Sequence, residues 1–149
     1  MGPFVLLVMT TVALRVGGLM GVRALRSWAP ALRIALAVMF LATGATHFSV
    51  LRDDFAAMLP PPLTDAVWPV YLTGGLEIAG ALGLLLPRWR RPAAVCLVLL
   101  LLAMFPANVY AARHGILFQG EPPVALWLRA PIQLWFMVAL WASAIRRQP

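Results

Sequence analysis

The chain has 149 residues, 62% of them hydrophobic, with a mean hydropathy of +0.88. Soluble domains run nearer half apolar, and a water-soluble fold of this size could not hide the excess, whereas a bilayer removes the difficulty. The net charge is +7 and all twelve basic residues are arginine, set in short clusters between apolar runs. An orientation bias explains that pattern better than a nucleic-acid surface, and no nucleic-acid module is present.

The first apolar run, Pro3 to Val22, is interrupted by Arg15 and followed by Arg23 and Arg26. A cleaved signal peptide has the opposite charge order, so the run reads as a membrane helix with its N-terminus outside. Arg15 within it must snorkel or find a partner. The second run, Ala31 to Val50, has the length of a span. Beyond it, Phe48, Leu51, Phe55, Met58 and Leu59 recur every three or four residues, with Arg52, Asp53 and Asp54 opposite. This predicts a short amphipathic helix in the interface, stopped by Pro60, Pro61 and Pro62.

The third run is Val67 to Leu86, closed by a Pro-Arg-Trp-Arg-Arg-Pro segment at 87–92. The fourth is Ala93 to Ala112, closed by Arg113, His114 and Gly115. The fifth is Val124 to Ile145, kinked or starting late at Pro131. With the N-terminus outside, Arg23, Arg26, Arg33, Arg88, Arg90, Arg91, Arg146 and Arg147 are cytoplasmic. The outer loops hold Arg52 and Arg113 together with Asp53, Asp54, Asp65 and Glu121, so the alternation holds at every loop. The expected architecture is all-α: an integral membrane bundle with an N-terminal helix and loop over 1–30 and a four-helix membrane domain over 31–149. Internal repeats are not evident.

Five polar residues inside the runs are the candidate site: His47, Glu77, Asn108, Arg129 and Gln133. The topology puts them at similar depth toward the outer side. A carboxylate at that depth must be neutral, paired or lined by water. Arg129 is the partner expected for Glu77, since its guanidinium can grip a carboxylate with two bonds. Arg129 and Gln133 share a helix face, as do Thr43 and His47. Two roles fit the pair: a buried bridge that fixes helix register, or a site that binds a ligand or handles a proton. His47 fits a general base, a quinone hydrogen-bond donor or an interfacial side chain.

Two histidines and one cysteine supply no metal-ligand spacing, so no metal site is expected. Cys96 cannot form an internal disulfide or a CxxC pair and reads as packing in an apolar run. Gly75, Ala79 and Gly83 form a small-residue stripe for close helix approach, with Gly74, Glu77 and Ala81 on roughly the other side. Pro106 removes the backbone bond to the Leu102 carbonyl, which then needs a donor such as Asn108. The six tryptophans, mostly near run ends, read as interface anchors.

Four segments together resemble the DoxX-like family of small bacterial membrane proteins. They are Gly44 to Phe48, Tyr71 to Arg88 with its Gly-Gly-Leu-Glu, Phe105 to Ala112 with its Phe-Pro-Ala-Asn, and Trp127 to Gln133. The resemblance covers roughly residues 31 to 145 and implies a four-helix membrane bundle, with the first helix outside that core. His47, Glu77, Asn108, Arg129 and Gln133 match the family's polar positions. Some relatives are associated with quinone-linked sulfur oxidation or thiol redox complexes; the single cysteine argues against dithiol chemistry by this chain alone. The expected function is therefore a membrane subunit of a redox system, at most associated with an oxidoreductase, that binds a quinone-like or other amphipathic small molecule. A scaffold for other membrane proteins and a small transporter or proton path, which would need an oligomer, are the alternatives. The expected location is a bacterial inner membrane, with the N-terminus outside and the C-terminus cytoplasmic. The sequence does not fix the oligomeric state.

Overall fold

The computed structural model describes residues 2–64 and 66–145. The helices run α1 (Gly2–Leu19), α2 (Trp28–Thr46), α3 (Arg52–Ala57), α4 (Trp68–Leu85), α5 (Arg90–His114) and α6 (Leu126–Leu140). A 3-10 turn at Arg23–Leu25 joins α1 to α2, and α6 continues into a π-helical turn at Trp141–Ile145. Among the described residues there is no strand beyond an isolated bridge between Phe118 and Glu121. Five helices are long and apolar enough to cross a membrane: α1, α2, α4, α5 and α6 with its π turn. Their outward faces are apolar as well, with Leu72, Leu76, Leu82, Leu99, Leu102 and Leu134 all exposed. Such a surface suits lipid, not water.

α2 is central. It packs against α1, α4 and α6; α4 packs against α5, and α5 against α6, which closes the ring of α2, α4, α5 and α6. α1 leans on α2 from outside that ring, yet its Leu7 is 1% exposed and joins the same core as Leu36, Met39, Leu84, Leu97 and Leu140. Lipid tails are as apolar as leucine, so close backbone approach, not water exclusion, holds such a bundle. The α2–α4 seam shows this at two glycines. A Cβ on Gly74 would lie 2.5 Å from the His47 Cβ, and one on Gly44 would lie 2.9 Å from the Gly74 carbonyl oxygen. On the other side of α4, a Cβ on Gly80 would lie 2.6 Å from Leu97, and one on Gly83 would lie 2.6 Å from Ala93.

Several expectations change. The stripe of Gly75, Ala79 and Gly83 is not the seam: Gly75 meets nothing within 4 Å and Ala79 is exposed, so only Gly83 approaches a neighbour. The residues buried at the seams are Gly74, Glu77 and Ala81 with Gly80 and Gly83. The amphipathic helix shrinks to the six residues of α3, because α2 ends at Thr46 and Phe48 turns outward, 52% exposed, to stack on Tyr71. α3 instead buries Ala56, with Met58 buried just beyond it. Cys96 is exposed on α5 and so is not core packing. The fifth span starts at Leu126, before Pro131, which sits inside α6.

Arg15 finds its partners. Its Nη1 donates to the carbonyls of Leu25 and Arg26, and its guanidinium lies 4.6 Å over the Trp28 ring. The charge thus reaches the free carbonyls of the turn after α1, which removes much of the cost of a cation in an apolar run. Two groups of the charge-alternation argument, Asp65 and the Arg146–Arg147 pair, lie outside the described residues.

Candidate functional site

The site is built where α2 ends and α4 begins. Thr43 lies in the last turn of α2 and His47 caps that helix four residues on, while Thr73 and Glu77 are one turn apart on α4. Glycine at 44 and 74 brings the two backbones close enough for these four side chains to meet. Glu77 is 5% exposed and His47 is 3% exposed. The Thr43 hydroxyl donates to Glu77 Oε2 at 2.5 Å, and His47 Nε2 lies 3.8 Å from Glu77 Oε1.

The partners of His47 define its tautomer. Nδ1 lies 2.9 Å from the Val70 carbonyl, which can only accept, so Nδ1 carries a hydrogen. The Thr73 hydroxyl oxygen is 3.1 Å from the same nitrogen, while its own hydrogen goes to the carbonyls of Pro69 or Val70. Nε2 is therefore the nitrogen aimed at the carboxyl. One proton between Nε2 and Oε1 can sit on either group, giving a neutral pair or an imidazolium–carboxylate pair. The Phe55 ring of α3 stacks on the imidazole at 4.2 Å between centroids, and Phe118 packs on Phe55 at 4.9 Å. A bond from the Gln119 backbone N–H to Asp54 Oδ2 (2.9 Å) ties the α5–α6 loop over α3. The cluster is thereby covered from the end of the bundle by aromatic rings.

The structure divides the five candidates. His47 and Glu77 meet. Gln133, buried on α6, donates instead to the Leu101 carbonyl of α5 at 2.5 Å. That carbonyl is one residue before the one that Pro106 frees, so Gln133, not Asn108, supplies a donor to this stretch of α5. Asn108 and Arg129 are half-buried, and their side chains make no hydrogen bond or ion pair among the described residues. The Glu77–Arg129 pair expected from sequence is not formed: the ion pairs among the described residues are His47–Glu77 and Arg52–Asp53. The reason is packing order, because α4 sits against α2 and α5, while α6 closes on α5 and α2. Thr73 and Phe55 are the contributors that the sequence reading missed. Thr73 was within reach, being one turn before Glu77; the contact of Phe55 with His47 depends on how α3 folds back.

Among the described residues no group of three or more His, Cys, Asp and Glu side chains is placed to hold a metal ion. Residues 36–146 match the model of a family described as a domain of unknown function, DUF8561, and the chain belongs to that family. The match begins within α2 and takes in the whole cluster, leaving α1 outside. No curated protein and no solved structure matches the chain.

Proposed function

We propose that this chain is a small multi-pass membrane protein whose His47–Glu77 pair exchanges a proton with a quinone-like amphipathic molecule, within a redox system of the membrane. The observation that carries the reading is the buried carboxyl and imidazole, 3.8 Å apart, with one proton's worth of freedom between them. Such pairs in membrane segments mark proton or ligand sites by default. The side chains of Asn108 and Arg129, half-buried and unbonded among the described residues, supply donors for ligand carbonyls. The part assigned to this chain is binding and proton exchange; electron transfer is left to a partner. The DoxX-like resemblance and the arginine distribution support a bacterial inner membrane with the C-terminus cytoplasmic.

A scaffold is the second reading, and one observation favours it: Glu77, His47 and Gln133 are already bonded within the protein. The test is thermal stability in detergent with a panel of quinones, for wild type and Glu77→Gln. Glutamine can still accept from Thr43 and donate to His47, but it cannot carry the proton. A ligand that binds only the folded state must raise the midpoint. The proposal expects a quinone shift in wild type that is lost in Glu77→Gln. Absence of a shift for every quinone would favour the scaffold.

A further inference from the structure

The opposite end of the bundle holds a second polar cluster of different character. A cleft of about 460 Å³ opens between the α4–α5 turn and the π turn after α6, lined by Pro87, Arg88, Arg90, Arg91, Ser143 and Ala144 among others. Two buried polar atoms beside it have no partner among the described residues: Arg90 Nε and the hydroxyl of Ser143, a residue only 1% exposed. Buried groups of this kind are normally bonded, so each asks for a missing acceptor or donor. Arg33 of α2 is also here, its Nη1 donating to the Ser143 carbonyl at 3.2 Å.

Among the described residues no acidic side chain lines this cluster. The five acidic residues are at positions 53, 54, 65, 77 and 121, none in the segments lining the cleft, and the first turn of α5 carries none. That first turn also carries the positive end of the α5 dipole, which favours an anion. The π turn widens the α6 backbone where Ser143 faces the cleft; such turns recur at functional sites.

We propose that this cleft binds a phosphate-bearing anion, either a phospholipid headgroup or a free phosphate group, held by Arg88, Arg90 and Arg91 with Ser143 as a hydroxyl donor. Arginine grips phosphate through two parallel bonds, and basic pockets between membrane helices take anionic headgroups. The site is independent of His47 and Glu77.

The test is the thermal midpoint of the purified, delipidated protein in detergent. The probes are dioleoylphosphatidylglycerol, dioleoylphosphatidylcholine, and inorganic phosphate against chloride at equal ionic strength. Near saturation, phosphatidylglycerol or phosphate is expected to raise the midpoint by roughly 2 to 5 °C over its control. A shift with phosphatidylglycerol alone identifies a headgroup site, and an equal shift with phosphate identifies a free-anion site. The double variant Arg88→Gln/Arg91→Gln changes two exposed side chains and is expected to keep its own midpoint while losing at least half of the shift. Ser143→Ala gives a second check should the double variant not fold. Absence of any shift over the controls, or an undiminished shift in a folded variant, would overturn the proposal.

Discussion

Where α2 finishes and α4 begins, a carboxyl and an imidazole are buried together and each polar contact has an answer: Thr43 for Glu77, Val70 and Thr73 for His47. Where α4 finishes and α5 begins, three arginines and a buried serine face a cleft, and two of their atoms have no bonding partner among the described residues. The first cluster is closed by packing: glycines at 44 and 74 bring the helices together and Phe55 covers the imidazole. The second is an open cleft between the π turn and a Pro-flanked connection. The difference teaches that a polar cluster in a small bundle can have its partners built in, so that a ligand must meet it through the protons it shares, or can keep polar atoms open for a ligand to bond.

The comparison can be broken most severely at the seam. Gly74→Val would drive two methyl groups into His47 and the Gly44 carbonyl, so the midpoint should fall sharply, with overpacking alone costing about 1 to 3 kcal/mol. An unchanged midpoint would mean that α2 and α4 do not approach as described. Glu77→Ala is expected next, since it leaves the Thr43 hydroxyl only its longer 3.3 Å bond to the Phe40 carbonyl and removes the carboxyl beside His47 Nε2, at a cost of about 1 to 3 kcal/mol. Glu77→Gln should recover most of that loss, and a thermal melt of both variants checks the order. Gln133→Leu removes one bond to the Leu101 carbonyl; interhelical bonds of this kind in membranes average about 0.6 kcal/mol, so a small but measurable drop is expected. At the basic end, Arg88→Gln without added anion should leave the midpoint where it is, because an exposed side chain with no bond has nothing to lose.

Span number and type were legible in the sequence, because runs of some twenty apolar residues have few physical solutions. His47 and Glu77 were legible too, since a titratable group in such a run stands out against its neighbours. Their pairing was not. Arg129 looked like the natural partner of Glu77 by charge alone, and only helix order shows that α4 faces α2 and α5 rather than α6. The glycine seam was misplaced for a related reason: spacing identifies a stripe on α4 but does not say which stripe has a neighbour, and the Gly75–Ala79 face has none nearby. Ser143 was not singled out in the sequence, because a serine in an apolar run carries no charge to mark it, and its place beside Arg90 at the cleft depends on the π turn, which leaves no clear mark in composition.

The central claim is that the His47–Glu77 end receives a small amphipathic ligand. Photolabelling the purified protein with an azido-quinone, followed by peptide mapping, tests it most directly. The account predicts label on the segments carrying His47, Glu77, Asn108 and Arg129, competed by unlabelled quinone and lost in Glu77→Gln. Label confined to lipid-facing positions such as Leu99 or Leu134, or label untouched by competitor, would contradict it and leave the pair as internal glue.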